Sequence, residues 1–317
     1  MENITQQENI NLHLIYTPFT GVGLHGGYRG DEWFSNRIDV FKNNTLKSLL
    51  NQTSKNFVHW ISFRPEERGH PLVVELAKYL DSFDSYKYIF TFNGLMYHDD
   101  KFTNYTLKTR FKNFLQMYHD NLKQNPFKLL KLVWENKNKT LVPRIYSSLI
   151  DIAKYIGTNY KWIYLTRIDS DDMLASDAVD LIQKQNPEWK RALVFKNGYI
   201  YNCKTGQVAE WLPPTNPPFH TIIFPASTFF DSQAHYEYYD DFKSHEDTTR
   251  VFNPIVLPDY KYMVAYHGRG HISTAWESPV IKKIHHRIKY KRINPFIGKI
   301  LSSEIKKDFG IWGQKIV

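Results

Sequence analysis

Short apolar runs alternate with helical patterns through the first 190 residues, and this alternation constrains the fold more than any other feature. Residues 12–16, 57–63, 86–92 and 162–165 form runs rich in β-branched and aromatic side chains, as expected for buried strands. Segments with apolar residues at helical spacing separate these runs. Strands that alternate with helices are typical of a mainly parallel sheet covered on both faces, so the sequence predicts an α/β fold.

Proline, glycine and serine indicate where the predicted helices begin and end. Pro71 suits the first turn of a helix, because the N–H that proline lacks has no helical partner there. Gly157 is expected to end one helix, and Ser176 to cap the beginning of another. The predicted helices cover residues 35–52, 71–80 and 141–156 and a segment from Asp177 onward.

After residue 191 the pattern changes to short strands separated by glycine turns. The runs at 192–195, 198–201 and 207–211 predict hairpin strands. Prolines between 213 and 218 then favour an extended connection. We therefore expect a smaller antiparallel region beside the main sheet.

The composition restricts the partners and the compartment. The 317 residues carry a formal net charge of +9, which favours an anionic partner such as nucleic acid, an acidic membrane surface or a phosphorylated substrate. Cys203 is the only cysteine, which excludes an intramolecular disulfide and a cysteine-based zinc cluster. Residues 1–11 are polar and no run of about 18 apolar residues occurs, so we expect a cytoplasmic protein.

An acidic turn follows the last of the predicted parallel strands. Residues 166–172 read T-R-I-D-S-D-D, which places Asp169, Asp171 and Asp172 just beyond the strand. Ligands of open parallel sheets bind outside the carboxyl ends of the strands. Carboxylates separated by one residue can approach one Mg²⁺ or Mn²⁺ ion, which leaves positions open for substrate phosphates. The alternative is a solvated loop of Asx-turns, whereas an EF-hand lacks its glycine and distal glutamate here.

Two further clusters carry groups suited to catalysis. Glu246 and Asp247 begin a predicted helix, where one carboxylate could act as a general base or both could be ordinary first-turn acids. His267, Arg269 and His271 stand among glycines, where they could supply a metal ligand and a diphosphate clamp or be ordinary loop residues.

Three segments resemble the GT-A glycosyltransferases. Residues 46–57 resemble a family helix that reads L-x-S-L-x-x-Q-T and leads to a strand beginning N-F. Residues 166–172 resemble the D-x-D motif as it stands in the rhamnosyltransferase group, and residues 245–247 resemble the Glu-Asp motif of inverting enzymes. The resemblance covers residues 12–275, and the D-x-D segment is its most specific part.

This resemblance implies a fold and an activity. The fold would be GT-A, with a Rossmann-like, mainly parallel central sheet flanked by helices and a smaller antiparallel region on the acceptor side. It would occupy residues 1–278, followed by a basic amphipathic C-terminal extension over 279–317. The activity would be metal-dependent transfer of a sugar, with rhamnose one candidate, from a UDP-, dTDP- or GDP-linked donor to a glycan or lipid-linked glycan, with inversion.

The resemblance also implies residue roles. Asp171, helped by Asp169, would hold Mn²⁺ or Mg²⁺ against the diphosphate, with His267 or His271 as a late metal ligand. Asp247 would be the catalytic base, and Glu246 is the alternative. The residues expected to contact the donor are Thr17, Phe19, Arg37, Arg64, Arg167, Asp169 and Arg269. The acidic cluster that reads the nucleobase in many relatives is replaced here by residues 64–68, which read R-P-E-E-R, so the donor base is left open.

The basic C-terminal segment and the net charge admit other interpretations. No acid occurs between Ser278 and Ser303, while basic and apolar residues alternate there. This pattern favours a helix on anionic lipid, or a solvated basic face or partner-binding arm. Nucleic acid is not an expected partner, because the basic excess gathers at the C-terminus while the sharpest internal cluster is acidic. A divalent-metal nuclease or phosphohydrolase and a non-catalytic nucleic-acid-binding or sugar-binding protein remain the alternatives.

Overall fold

The computed structural model describes most of the chain. The described residues are 11–20, 30–64, 67–92, 96–98, 140–142, 144–211, 219–239, 245–267, 299–300 and 302–311, with isolated positions 107, 111, 114, 115, 131, 134, 135, 213 and 242. Within these ranges, no helix combines the length and the hydropathy needed to cross a bilayer.

The described elements follow the predicted alternation of strands and helices. The strands are, in chain order, β1 (Leu12–Pro18), β2 (Val58–Ser62), β3 (Tyr88–Thr91), β4 (Met96–His98), β5 (Thr140–Val142), β6 (Trp162–Arg167), β7 (Met173–Leu174), β8 (Arg191–Phe195), β9 (Gly198–Asn202), β10 (Gln207–Trp211), β11 (His220–Pro225), β12 (Asn253–Leu257), β13 (Tyr262–Tyr266) and β14 (Lys299–Ile300). The helices are α1 (Asp31–Asn43), α2 (Thr45–Leu50), α3 (Pro71–Asp81), α4 (Arg144–Ile156), α5 (Ala178–Gln183), α6 (Ala226–Phe230), α7 (Ser232–Tyr239), α8 (Thr248–Val251) and α9 (Ser303–Asp308).

Seven strands form the central sheet, in the order β12-β8-β11-β6-β1-β2-β3. Strand β2 pairs parallel with β1 and with β3, and β8 pairs parallel with β12 and antiparallel with β11. A second sheet has the order β14-β10-β9-β13-β7, and most of its pairings are antiparallel. The predicted α/β fold, with a mainly parallel central sheet and a smaller antiparallel one, is confirmed.

The predicted hairpin between β8 and β9 is wrong. Strand β8 lies in the central sheet, whereas β9 lies in the smaller sheet and pairs antiparallel with β10. Only two residues separate β8 from β9, as a tight hairpin would require. Periodicity and turn spacing do not encode the sheet to which a strand belongs, and here the short connection takes the chain from one sheet to the other.

The beginnings of α4 and α5 differ from the sequence prediction. Helix α4 begins at Arg144, because residues 140–142 form β5 instead of the first turn of a helix. Its predicted end is confirmed, since Gly157 has a φ of 75° and donates its N–H to the carbonyl of Ala153 at 2.9 Å. Ser176 does not cap α5, because its hydroxyl donates to Asp308 at 2.6 Å and the helix begins after Asp177.

The described residues group into two compact units. Unit 1 takes its described residues from 1–34, 58–163 and 224–240, and unit 2 takes them from 35–57, 164–223 and 241–317. Unit 1 has a core around Trp60, Leu14 and Phe63, all fully buried. Unit 2 contains a cluster in which Met173 and Met263 pack with Phe309.

The last described helix belongs to the packed part of unit 2. Asn51 donates its side-chain amide to the carbonyls of Lys307 and Asp308, at 2.9 and 3.0 Å, at the end of α9. Gly310 follows with a φ of 69°, and a Cβ there would lie 2.7 Å from the carbonyl oxygen of Lys47. Residues 302–311 are therefore integrated into unit 2, while the basic residues 282–292 lie outside the described residues. The domain boundary at 278 and the membrane contact stay predictions.

Unit 1 contains a buried chain of polar side chains. The hydroxyl of Thr17 bonds to Nε2 of His59 at 2.8 Å, and Nδ1 of His59 bonds to the hydroxyl of Tyr86. All three residues lie in the packed interior. Burial lowers the pKa of His59 to about 3, and it lowers the pKa of the neighbouring buried His13 to about 3 as well. These imidazoles are therefore neutral at physiological pH.

Candidate functional site

The acidic turn follows β6 directly and is closed by its own backbone. The N–H of Asp172 donates to the carbonyl of Asp169 at 3.2 Å, which makes residues 169–172 a tight turn. Ser170 is fully buried and Asp172 is 5% exposed, whereas Asp169 and Asp171 are partly exposed. The turn thus directs two of its three carboxylates toward its accessible side.

Arg37 of helix α1 makes a bidentate ion pair with Asp171. Its two terminal nitrogens donate to the two carboxylate oxygens, at 2.7 and 3.1 Å. Its Nε donates to the hydroxyl of Ser170 at 2.7 Å. The planar guanidinium is therefore fixed by three bonds to two adjacent residues of the turn. The side chains of Arg37 and Asp171 are 17% and 14% exposed, so the pair lies at the margin of the packed interior.

His267, just after strand β13, completes this cluster. Its Nε2 lies 3.0 Å from Oδ2 of Asp171. Because an ionised carboxylate only accepts hydrogen bonds, Nε2 is the donor and carries a proton. The same nitrogen lies 3.4 Å from a terminal nitrogen of Arg37. Because both of these nitrogens are donors, this contact is not a hydrogen bond. Its Nδ1 is buried and has no hydrogen-bond partner among the described residues.

The other two aspartates of the turn have different partners. Asp169 accepts from Nε and a terminal nitrogen of Arg167, at 3.3 and 3.1 Å, in a half-exposed pair. Asp172 accepts the backbone N–H of Ala265 in β13 at 3.1 Å. Each carboxylate therefore has a different partner. Asp171 pairs with Arg37, Asp169 pairs with Arg167, and Asp172 accepts from the backbone of the smaller sheet.

These surroundings move the pKa values of adjacent carboxyl groups in opposite directions. Burial alone would raise the pKa of Asp171, but the Arg37 guanidinium and the His267 hydrogen bond hold it below its ordinary value. Burial, together with the charges of Asp171 and Asp169, raises the pKa of Asp172. Burial opposes the charge of Arg37, yet Asp171 keeps the pKa of the guanidinium above its ordinary value. The Arg37–Asp171 pair is therefore fully ionised.

The junction of α1 and α2 holds the backbone of the turn. Asn44 donates its side-chain amide to the carbonyl of Asp171, and the hydroxyl of Thr45 donates to the carbonyl of Asp169, both at 3.3 Å. The predicted single helix over 35–52 is therefore interrupted at Asn44, where φ and ψ are −112° and −80°. Asparagine side chains compete with the helical backbone for hydrogen bonds, which is the local signal that could have marked this break.

Two polar side chains, Ser48 of α2 and Gln52 just after its end, hold the segment that follows the turn. Ser48 accepts the N–H of Leu174 at 3.3 Å. Gln52 donates to the carbonyl of Ala175 at 2.8 Å and accepts the N–H of Val179 at 3.0 Å. The serine and glutamine of the L-x-S-L-x-x-Q-T segment thus have a structural role, because they join the helix to the strand and helix beyond the acidic turn.

The turn, as described, does not fit a divalent cation. Both oxygens of Asp171 are bonded to Arg37, and Nε2 of His267 carries a proton in place of the lone pair that a metal needs. Throughout the part of the chain that the structure describes, no three His, Cys, Asp or Glu side chains are grouped so as to hold a metal ion. His271 and Arg269 lie outside the described residues. The metal roles of Asp169, Asp171, His267 and His271 stay predictions.

The expected catalytic carboxylates lie on a short helical turn in unit 2. Residues His245–Asp247 form one turn of 3-10 helix that leads into α8. Asp247 accepts two bonds from Arg250, from Nε and from a terminal nitrogen, each at 3.0 Å, while Glu246 is exposed. The pair orients the Asp247 carboxylate. Its role as a base, and that of Glu246, stay predictions.

The predicted donor contacts in unit 1 have packing partners within that unit. Thr17 is fully buried on His59, and the ring of Phe19 packs against Phe63 with 5.1 Å between centroids. Arg64 is half-buried and donates its backbone N–H to Glu67 at 2.9 Å. Donor binding by Thr17, Phe19 and Arg64 stays a prediction.

Comparison with known proteins adds little to this geometry. No protein-family model and no curated protein matches the sequence. Among solved structures, the chain is similar to mouse xyloside xylosyltransferase 1 in its apo form, with 11% sequence identity and a TM-score of 0.33, over 78% of this chain and 85% of that one. A similarity at this level assigns neither an activity nor a ligand to the chain.

Proposed function

We propose that the chain is a glycosyltransferase that moves a sugar from a nucleoside diphosphate sugar to a hydroxyl of a glycan or lipid-linked glycan. The observation that carries this proposal is the cluster that Arg37 and His267 form with Asp171 of the turn after β6. A mainly parallel sheet binds ligands beyond the carboxyl ends of its strands. The turn stands at such an end, and its sequence resembles the D-x-D segment of the rhamnosyltransferase group.

The cluster has the chemistry that donor binding needs. Guanidinium groups bind phosphate oxygens through paired hydrogen bonds, and Arg37 and Arg167 are both anchored at the turn by aspartates. Carboxylate oxygens such as those of Asp169 accept hydrogen bonds from ribose or sugar hydroxyls. Cations with adjacent acceptors therefore suit a ligand with a charged diphosphate and neutral, hydroxyl-bearing ends. Rhamnose is one candidate for the sugar.

Transfer with inversion needs one base. Asp247 would accept the proton of the acceptor hydroxyl while that oxygen attacks the anomeric carbon, and the nucleoside diphosphate would leave from the opposite face. The bonds from Arg250 support this role, because they orient the carboxylate. Glu246, one residue earlier, is the alternative base.

A divalent cation at Asp171 stays a prediction of the sequence motif. Mn²⁺ or Mg²⁺ would offset the charge of the departing diphosphate when bound. In the described arrangement the carboxylate oxygens that it would use are bonded to Arg37. The charge of the guanidinium therefore opposes a cation at the same carboxylate.

The direct test measures donor use and the base separately. The full chain is incubated with a panel of UDP-, dTDP- and GDP-linked sugars, and both thermal shift and release of the nucleoside diphosphate are followed with and without glycan acceptors. We expect one donor to stabilise the fold and to be consumed only with an acceptor. The variant Asp247→Asn should keep the thermal shift and lose transfer by about 100-fold or more, since general-base catalysis contributes that much.

Two results would contradict this proposal. Absence of binding to every nucleotide sugar by the folded chain would remove the transferase function. Full transfer by Asp247→Asn would remove Asp247 as the base, and Glu246→Gln then tests the alternative. Arg191→Gln, which changes a charge elsewhere in unit 2 where Arg191 pairs with Glu188, is the matched control.

A further inference from the structure

A donor diphosphate needs positive charge in a turn that contains three carboxylates. Phosphate oxygens and ionised carboxylates repel each other, so a cation must lie between the acidic turn and the ligand. Arg37 and Arg167 are the guanidinium groups that the structure bonds to this turn. Arg37 is the better candidate, because three bonds fix its plane and its carboxylate partner uses both oxygens.

The hydrogen-bond inventory of Arg37 leaves donors for a ligand. A guanidinium has five N–H groups. Ser170 takes the Nε–H, and Asp171 takes one N–H from each terminal nitrogen. The second N–H of each terminal nitrogen has no acceptor among the described residues, because His267 is itself a donor toward Asp171. These two N–H groups lie on opposite edges of the guanidinium plane, so each can donate to a separate phosphate oxygen.

The same contacts oppose a metal ion at Asp171, because the positive charge of Arg37 lies against both of its carboxylate oxygens. Asp171 offers no carboxylate oxygen that is not bonded to Arg37, and Nε2 of His267 is protonated. Asp172 is 5% exposed and holds the backbone of Ala265. The carboxylate of Asp171 therefore serves to orient Arg37, and the guanidinium supplies the positive charge that a cation would bring to the D-x-D segment.

We propose that Arg37 supplies the positive charge opposite the donor diphosphate, so that nucleoside diphosphates bind to this chain without a divalent cation. The proposal rests on the proposed glycosyltransferase function and specifies how its donor is held. Asp171 and Ser170 are positioning residues that preorganise the guanidinium. The metal-dependent site that the sequence motif predicts is the competing outcome.

The test is isothermal titration of the full chain with UDP, dTDP and GDP, in buffer containing EDTA and in buffer containing Mn²⁺. We expect at least one nucleotide to bind in EDTA with a Kd within about threefold of its value in Mn²⁺. Arg37→Gln should weaken binding in EDTA by about tenfold or more, because it removes charge-assisted bonds. Arg37→Lys keeps the charge but not the planar set of N–H donors, so its affinity should lie between those of Arg37→Gln and the unmodified chain. The control Arg191→Gln should match the unmodified chain.

The outcomes separate this proposal from the proposed function. Binding that occurs only with Mn²⁺ and persists in Arg37→Gln would overturn the role of Arg37 and leave the transferase proposal standing. Absence of nucleotide and nucleotide-sugar binding in both buffers, with circular dichroism indicating a folded chain, would overturn the transferase proposal itself. Equal binding in EDTA by Arg37→Gln and the unmodified chain would also remove Arg37 from the donor site.

Discussion

The acidic turn of unit 2 and the histidine-containing strands of unit 1 both hold titratable side chains in packed surroundings, by opposite means. At the turn, Asp171 stays charged because Arg37 and His267 bond to it. In unit 1, His59 stays neutral because Thr17 and Tyr86 satisfy its two nitrogens while burial disfavours the proton. The first region pairs full charges, and the second avoids charge altogether.

This difference separates a region suited to binding from one suited to packing. A buried ion pair costs desolvation, which its attraction often only balances, so its presence is weak evidence of a role in stability alone. A neutral imidazole with both nitrogens bonded costs little and favours a single arrangement of the strands. The charged cluster also keeps partial exposure, whereas His59 has none. A ligand can therefore reach the first region and not the second.

The largest expected effect is acid destabilisation from unit 1. Because the folded pKa values of His13 and His59 are about 3, below the ordinary 6.5, folding favours their neutral forms. Their contribution is complete above pH 6.5 and is lost progressively as pH falls toward 3. As the pH falls from 6.5 to 5, each of these two histidines should lower the free energy of unfolding by about 2 kcal/mol. Urea unfolding at several pH values measures this slope.

Replacing His59 separates the acid destabilisation of unit 1 from any contribution of the acidic turn. Asp171 has a lowered pKa and keeps its charge throughout this range, so the turn should add no loss between pH 6.5 and 5. His59→Gln should therefore reduce the slope by about 2 kcal/mol over the range, whatever its effect at pH 7.5. An unchanged slope would mean that His59 is not the buried neutral group described here.

A smaller effect is expected from breaking the ion pair. Asp171→Ala leaves Arg37 without its carboxylate and should lower the free energy of unfolding by about 3 kcal/mol. The double variant Arg37→Met/Asp171→Leu should lose less than this, because neither charge is then left unpaired. Urea unfolding of Arg37→Met, Asp171→Leu, the double variant and the unmodified chain forms a double-mutant cycle that gives the coupling. Full stability of Asp171→Ala would contradict the description of a tightly held pair.

The smallest effect is expected from Ser170. Ser170→Ala removes only the acceptor of the Arg37 Nε bond and should cost about 1 kcal/mol of stability. Nucleotide binding in EDTA should weaken less than in Arg37→Gln, because the bidentate pair with Asp171 remains. A loss of binding as large as that of Arg37→Gln would make Ser170, instead of Asp171, the main determinant of the guanidinium position.

Much of the fold could be predicted from the sequence because strand signals are local. Strand β2 lies within the predicted run 57–63, and β6 extends the predicted run 162–165 by two residues. Gly157 ends α4 as expected because the φ required there favours glycine. The sheet membership of β8 and β9 could not be predicted, since it depends on partners such as β12 and β13 that follow far along the chain.

The candidate site, like the fold, has features that the sequence predicts and features that it does not. The sequence by itself determined that strands alternate with helices and that Asp169, Asp171 and Asp172 follow a buried strand, because both are properties of contiguous residues. Only the tertiary structure decided which partner each carboxylate takes. Arg37 stands 134 positions from Asp171, so their bond is a consequence of folded distances that local pattern does not encode. That partner decides whether the turn holds a guanidinium or a metal ion.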